Sequence, residues 1–144
     1  VGKNKKIFLM PKFRTMKKNT PQLATHLLSD PDKHLIFVGK FLRKYSLDEL
    51  PQLFSVLKGD MSLVGPRPAL FNQNDLIRLR DNYKIFEIQP GITGYAQING
   101  RDNLSIEKKV KLDYYYKKNY SYNLDIIILI KTFFAVFKNT DVSH

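Results

Sequence analysis

The sequence has no cysteine in its 144 residues. That excludes a disulfide framework and thiolate chemistry, and it suits a reducing compartment. Acid is missing where base is dense. Residues 1–29 carry Lys3, Lys5, Lys6, Lys12, Arg14, Lys17 and Lys18 with no Asp or Glu. No stretch reads as a signal peptide or a full membrane span. The most apolar window, Leu124 to Phe137, has 14 residues. As a helix it rises ~21 Å, short of the ~30 Å hydrocarbon core. It reads as a buried core helix or as a helix lying in a membrane interface. Asp125, Thr132 and Asn139 form its one polar stripe. Repeats and low-complexity tracts are absent. His26 and His34 have no partner at metal-ligand spacing and read as surface histidines.

What is present is base. There are 24 Lys and Arg against 13 Asp and Glu, a net charge of +11. Such a chain suits anionic partners: a membrane surface, a nucleotide diphosphate or nucleic acid. The basic N-terminal run is a solvated face, or beside a membrane it is drawn to anionic lipid. The length predicts one domain with a real core. The chain opens on Val1 rather than Met, and it reads as the cytosolic portion of a longer protein.

The informative stretch is Leu42 to Leu70. Ser46-Leu47-Asp48-Glu49 has the form of a capping box. Leu47, Leu50, Leu53, Phe54 and Leu57 follow at helical spacing. Pro51 shortens or kinks that helix, and Gly59 is its C-terminal cap. Asp48 and Glu49 then lie in a first turn, where free N–H groups and the helix dipole favour ionised acids. Capping alone explains them. They also suit phosphoryl chemistry beside Arg43 and Arg67: an Asp can be a nucleophile toward phosphorus, and a neighbouring Glu can hold Mg²⁺. Pro66 and Pro68 stiffen the backbone around Arg67. A preset guanidinium suits bidentate phosphate binding. A rigid loop whose Arg caps a helix is the alternative.

Elsewhere, Ile7 to Met16 reads as one or two short strands broken by Pro11, with Lys12 and Arg14 on one side. A short helix is predicted over Gln22 to Leu28. Met61 to Val64 reads as a buried strand or turn. Asn72 to Asn82 reads as an amphipathic helix with Arg78 and Arg80 exposed. Ile85 to Gln89 reads as a strand. Pro90-Gly91 and Thr93-Gly94 read as tight turns, where glycine could also admit a phosphate or base. Ser105 to Asn119 reads as a basic helix whose Tyr114-Tyr115-Tyr116 and Lys117-Lys118 suit an interface.

Five blocks in order resemble the bacterial sugar transferases, the monotopic polyprenyl-phosphate phosphoglycosyl transferases. They are Lys12-Phe13-Arg14-Thr15-Met16, Arg43 to Leu53, Gly59 to Pro68, Pro90-Gly91-Ile92-Thr93-Gly94, and Gln97-Ile98-Asn99-Gly100-Arg101. A segment of the form D-x-x-Y-x-x-x-x-S, here Asp113, Tyr116 and Ser121, also resembles that family. The resemblance implies an α+β domain over 1–144, mainly helical with short strands, compact and packed on a membrane surface. It implies a membrane-inserted helix just before Gly2-Lys3 and a place at the cytoplasmic face of the bacterial inner membrane.

The implied reaction moves a phosphosugar from a UDP-sugar to undecaprenyl phosphate and releases UMP. This is the first membrane step of capsule, exopolysaccharide, O-antigen or glycan assembly. Asp48 would form a covalent phosphosugar intermediate, and Glu49 would bind Mg²⁺. Arg43 and Arg67 would hold phosphate oxygens with help from Lys12 and Arg14. Gln97 and Arg101 would serve the nucleotide-sugar side. Thr20-Pro21, Ala24-Thr25 and Pro68-Ala69-Leu70 with Asn72-Gln73 look most like the capsule members, which suggests a UDP-N-acetyl-6-deoxyhexose. Two other classes fit the charge: a nucleic-acid-binding module, from a loose helix-turn-helix over Ser46 to Leu63, and a non-catalytic membrane scaffold. Gly65 to Pro68 speaks against a continuing recognition helix.

Overall fold

A computed structural model describes residues 1–20, 31–100 and 104–138. Among them are six α-helices and one two-stranded sheet, a mainly helical α+β fold. The expected helix over Gln22 to Leu28, His26, Arg101 and Asn139 lie outside the described residues.

Ser62–Val64 (β1) and Gly91–Thr93 (β2) pair in parallel, with Ser62 opposite Gly91 and Val64 opposite Thr93. β2 stands where tight turns were expected. Its glycine serves the strand crossing: a Cβ on Gly91 would collide with the backbone nitrogen of Gly65. The close approach here is backbone to backbone. Pairing continues past β1, where Gly65 N–H donates to Thr93 O at 2.8 Å and Gly91 N–H to Pro66 O at 3.0 Å. The Gly65–Pro68 turn is thus fastened to the end of the sheet.

Two helices flank the acid pair, Gly39–Lys44 (α1) and Gln52–Leu57 (α2). Between them Leu47–Glu49 is a single 3₁₀ turn. The predicted capping box does not form. Ser46 takes a left-handed conformation, φ 53°, and its hydroxyl caps nothing. The Glu49 carboxylate cannot reach back because two cations draw it away, and charge-assisted bonds are the stronger ones. Pro51 stands at the N-cap of α2, where its missing N–H costs no helix bond. Gly59, φ +79°, closes α2. Its N–H donates to Val56 O, and Asp60 N–H donates to Ser55 O, both at 2.9 Å. This is a Schellman motif.

Asn74–Asn82 (α3) is the expected amphipathic helix, but Arg80 is buried rather than exposed. Ile85–Glu87 is a 3₁₀ turn rather than a strand. Ile85 and Phe86 are both buried; adjacent residues of a strand point to opposite faces, so a turn buries the pair better. Tyr95–Ile98 (α4) follows β2. Ser105 caps Ile106–Lys118 (α5), its hydroxyl accepting from Lys108 N–H at 3.3 Å. Val110, Asp113 and Tyr116 form its buried face. The tyrosine run packs inside the chain, with Tyr115 left half-exposed. Tyr114 packs edge-on to Tyr83, Tyr115 stacks on Tyr95 at 4.9 Å, and Tyr116 is core.

Ile7 to Met16 is extended but not a strand; a single bridge joins Met16 to Leu35. Pro11 offers no donor, and Phe13 N–H goes to Asp48 O at 2.9 Å.

Tyr122–Lys138 (α6) packs with its polar stripe inward. Asp125 accepts from Tyr116 Oη at 2.7 Å, and Thr132 Oγ1 lies 2.7 Å from Thr93 Oγ1. Ile128 is fully buried with Val64 and Tyr116. Ile126, Ile127, Leu129, Ile130, Phe133 and Phe134 are exposed. The helix is therefore part core helix and part bare apolar face. Among the described residues no helix is long and apolar enough to cross a membrane.

Candidate active site

The elements converge on a cavity of about 400 Å³. Its near wall comes from Lys12, Phe13 and Thr15 of the extended segment, Arg43 of α1, and Asp48 and Glu49 of the 3₁₀ turn. Arg67 enters from the proline turn. The far wall brings Thr93, Gln97, Lys109, Asp113 and Thr132. Five cationic and three acidic side chains line the space, so its field favours an anionic ligand.

Glu49 is the electrostatic centre. Arg67 reaches it with two N–H groups, to Oε2 at 3.2 Å and to Oε1 at 2.5 Å. Lys12 Nζ adds a third bond to Oε1 at 2.8 Å. Burial works to raise the carboxyl, but the bonds and charges of Arg67 and then Lys12 outweigh it. Together they hold Glu49 down to about 2. Glu49 is ionised at any working pH. Asp48 differs: it lines the same cavity, and among the described residues no side chain donates to its carboxylate.

The other walls are locked in turn. Arg43 Nε donates to Thr15 Oγ1 at 2.9 Å, which orders the guanidinium beside the acid pair. Gln97 reaches the cavity with neither amide atom satisfied among the described residues. A buried amide without partners costs about 1–3 kcal/mol, a cost that a ligand or water would relieve. Arg14 is exposed and is not among the residues lining the cavity. The side-by-side placement with Lys12 required strand geometry, which the segment lacks.

Sequence reasoning missed Arg80, Asp113, Lys109 and the Thr93–Thr132 contact. Arg80 Nε and one terminal nitrogen donate to Asp113 Oδ2 at 3.0 and 2.6 Å. Burial pushes the Asp113 carboxyl up against the pull of Arg80. The i, i+3 spacing of Asp113 and Tyr116 was the available signal, because it puts both on one helix face.

Among the described residues no cluster of three acids or histidines stands ready to hold a metal. Glu49 accepts three N–H groups, which leaves one acceptor position on Oε2. With the Asp48 carboxylate this donor set fits an ion carried in on substrate phosphates, which needs only one or two carboxylates.

The sequence profile of the bacterial sugar transferases matches residues 1–139. The chain belongs to that family. This sugar transferase sequence is 47% identical over 131 residues to the uncharacterized sugar transferase EpsL of Bacillus subtilis (strain 168), covering 91% of this chain and 63% of that one. It is 42% identical over 148 residues to an undecaprenyl-phosphate galactose phosphotransferase of Salmonella typhimurium, covering 92% of this chain and 31% of the relative. A UDP-N-acetylgalactosamine-undecaprenyl-phosphate N-acetylgalactosaminephosphotransferase of Aeromonas hydrophila is 40% identical over 137 residues, covering 92% of this chain and 32% of the relative. The chain thus spans 63% of the first relative's length and about a third of the other two.

Proposed function

We propose that this chain carries the active site of a phosphoglycosyl transferase. It passes a phosphosugar from a UDP-sugar to undecaprenyl phosphate and releases UMP. The carrying observation is the contrast within the acid pair: Glu49 is clamped by Lys12 and Arg67, while the Asp48 carboxylate meets the cavity with no side-chain donor upon it among the described residues. A carboxylate left unbonded at a cationic cavity retains its nucleophilicity.

In the first step an Asp48 oxygen attacks the phosphorus that bears the sugar. The bond from that phosphorus to the UMP oxygen breaks, and UMP leaves with the electron pair. In the second step a phosphate oxygen of undecaprenyl phosphate attacks the same phosphorus and releases Asp48. Arg43 and Arg67 hold phosphate oxygens, and Lys12 adds positive charge where negative charge develops. Glu49 orients Arg67 and Lys12, and its remaining Oε2 position would contact Mg²⁺. When bound, the ion offsets charge on the diphosphate. Gln97 lies toward the nucleotide-sugar side.

The membrane side follows from chemistry. The acceptor is lipid-borne, and α6 turns an apolar face outward while α1 and α2 leave Phe41, Phe54 and Leu57 exposed. We place the protein at the cytoplasmic face of the bacterial inner membrane, in capsule or exopolysaccharide assembly, with an N-acetylated, 6-deoxy sugar as the donor's cargo. A nucleic-acid reading has no support in the fold, because β1 follows α2 where a recognition helix would have to lie.

The test is UMP release by the whole protein in detergent, with undecaprenyl phosphate, Mg²⁺ and a panel of UDP-N-acetyl sugars. Release that requires both lipid and one donor is the expected result. No release with any donor overturns the reading.

A further inference from the structure

Arg80 and Asp113 take no part in the transfer chemistry just described. Yet they are the only fully buried charged side chains among the described residues, 2% and 1% exposed. Such a pair is weak support for stability, since well-packed apolar side chains often replace it at no loss. Its geometry points elsewhere. Arg80 gives two N–H groups to Asp113 Oδ2, which anchors α3 to α5. The remaining terminal nitrogen turns the other way and donates to the carbonyl oxygen of Arg67 at 2.7 Å. Arg67 stands between Pro66 and Pro68, which have no N–H to hold the turn. Its own side chain lies on Glu49 through two bonds. One continuous path therefore runs from Asp113 through Arg80 to the Arg67 peptide, and on to Glu49.

We propose that the Arg80–Asp113 pair positions Arg67: by clamping its carbonyl it fixes the peptide plane, so that the guanidinium lies along Glu49 and the neighbouring Asp48 stays open to the cavity. Arg80 and Asp113 are positioning residues and touch neither phosphate. The consequence for turnover rests on the transfer reading above; the geometric claim does not.

The experiment is the double variant R80M/D113L in the whole protein, with K117M on the same helix as a control. Among the described residues Lys117 bonds only to Glu87 and the Lys84 carbonyl oxygen. The apolar pair should remain folded, with Tm lowered by several degrees at most where the Arg67 carbonyl loses its donor. UMP release should nevertheless fall about tenfold or more, as small misplacements in an active site do. The Arg67 guanidinium, followed by ¹⁵N NMR, should lose the protection from solvent exchange that its bonds to Glu49 give it in the wild type. A folded double variant with wild-type turnover, or with unchanged exchange of the Arg67 guanidinium, overturns the proposal. If the double variant does not fold, R80K decides: its compact ammonium cannot span both Asp113 and the Arg67 carbonyl, so unchanged turnover in R80K also overturns it. If the wild-type protein releases no UMP from any donor, the transfer reading fails, and the Arg67 exchange measurement alone judges the positioning claim.

Discussion

Glu49 ties the chemistry of the site to the stability of the fold. Its folded carboxyl lies near 2, against an ordinary 4.5, because Arg67 and Lys12 outweigh the effect of burial. A depressed acid stabilises the folded state above its unfolded value, and that contribution disappears as pH falls through the folded one. The window therefore runs from about 4.5 down to about 2. For a side chain 18% exposed, the contribution at neutral pH is on the order of 2–3 kcal/mol. Urea unfolding at pH 6 and pH 3 should record a loss of somewhat more than half of that contribution in the wild type, because pH 3 still lies above the folded value, and a much smaller pH dependence in E49Q. Equal pH dependence in the two proteins would contradict the ion cluster. At this scale the sequence was readable where residues sit close in the chain or in a known pattern: Asp48, Glu49, Arg43 and Arg67 all reach one cavity. Arg80 was misread because helical periodicity assigns only a face. Its partner Asp113 lies 33 residues on in another helix, and nothing local announces it.

The elements around the site depend on a few backbone positions. Gly59 sits at φ +79° with open space where a Cβ would go. G59A should therefore cost only left-handed strain, about 1 kcal/mol. Gly91 has an ordinary need of a different kind, since any Cβ meets the Gly65 backbone. G91A should cost more, about 2 kcal/mol or above, and should impair turnover because the Gly65–Pro68 turn hangs from that crossing. Urea midpoints for the two variants compare them directly; a smaller loss for G91A would contradict the packing described. Capped helices were legible: Ser105 starts α5, and Gly59 ends α2. The three-residue strands were not. β2 is built from Gly91, Ile92 and Thr93, whose glycine and preceding proline carry the marks of a turn. Pairing with β1 across 29 positions decides the matter, and a one-dimensional pattern does not contain it.

At the scale of the molecule, α6 is arranged in reverse of a helix on a water-facing surface. Asp125 and Thr132 point inward to Tyr116 and Thr93, and the apolar residues point out. With a net charge of +11, this suits a surface of anionic lipid. I130E/F134E should reduce co-sedimentation with anionic vesicles several-fold and leave Tm within about 2 °C; undiminished binding would contradict that role for α6. The sequence left α6 undecided between core and interface because both need greasy residues. Only the direction of its polar stripe separates them. In the proposed reaction Asp48 carries the phosphosugar between a nucleotide and a lipid. The most direct measurement withholds the lipid. The whole protein is mixed with the productive UDP-sugar and Mg²⁺, UMP is followed in the first turnover, and the protein is digested for mass spectrometry. The expected result is one equivalent of UMP at most, a phosphosugar increment on the peptide containing Asp48, and neither in D48N. A label on another residue, or D48N with wild-type turnover, would contradict it.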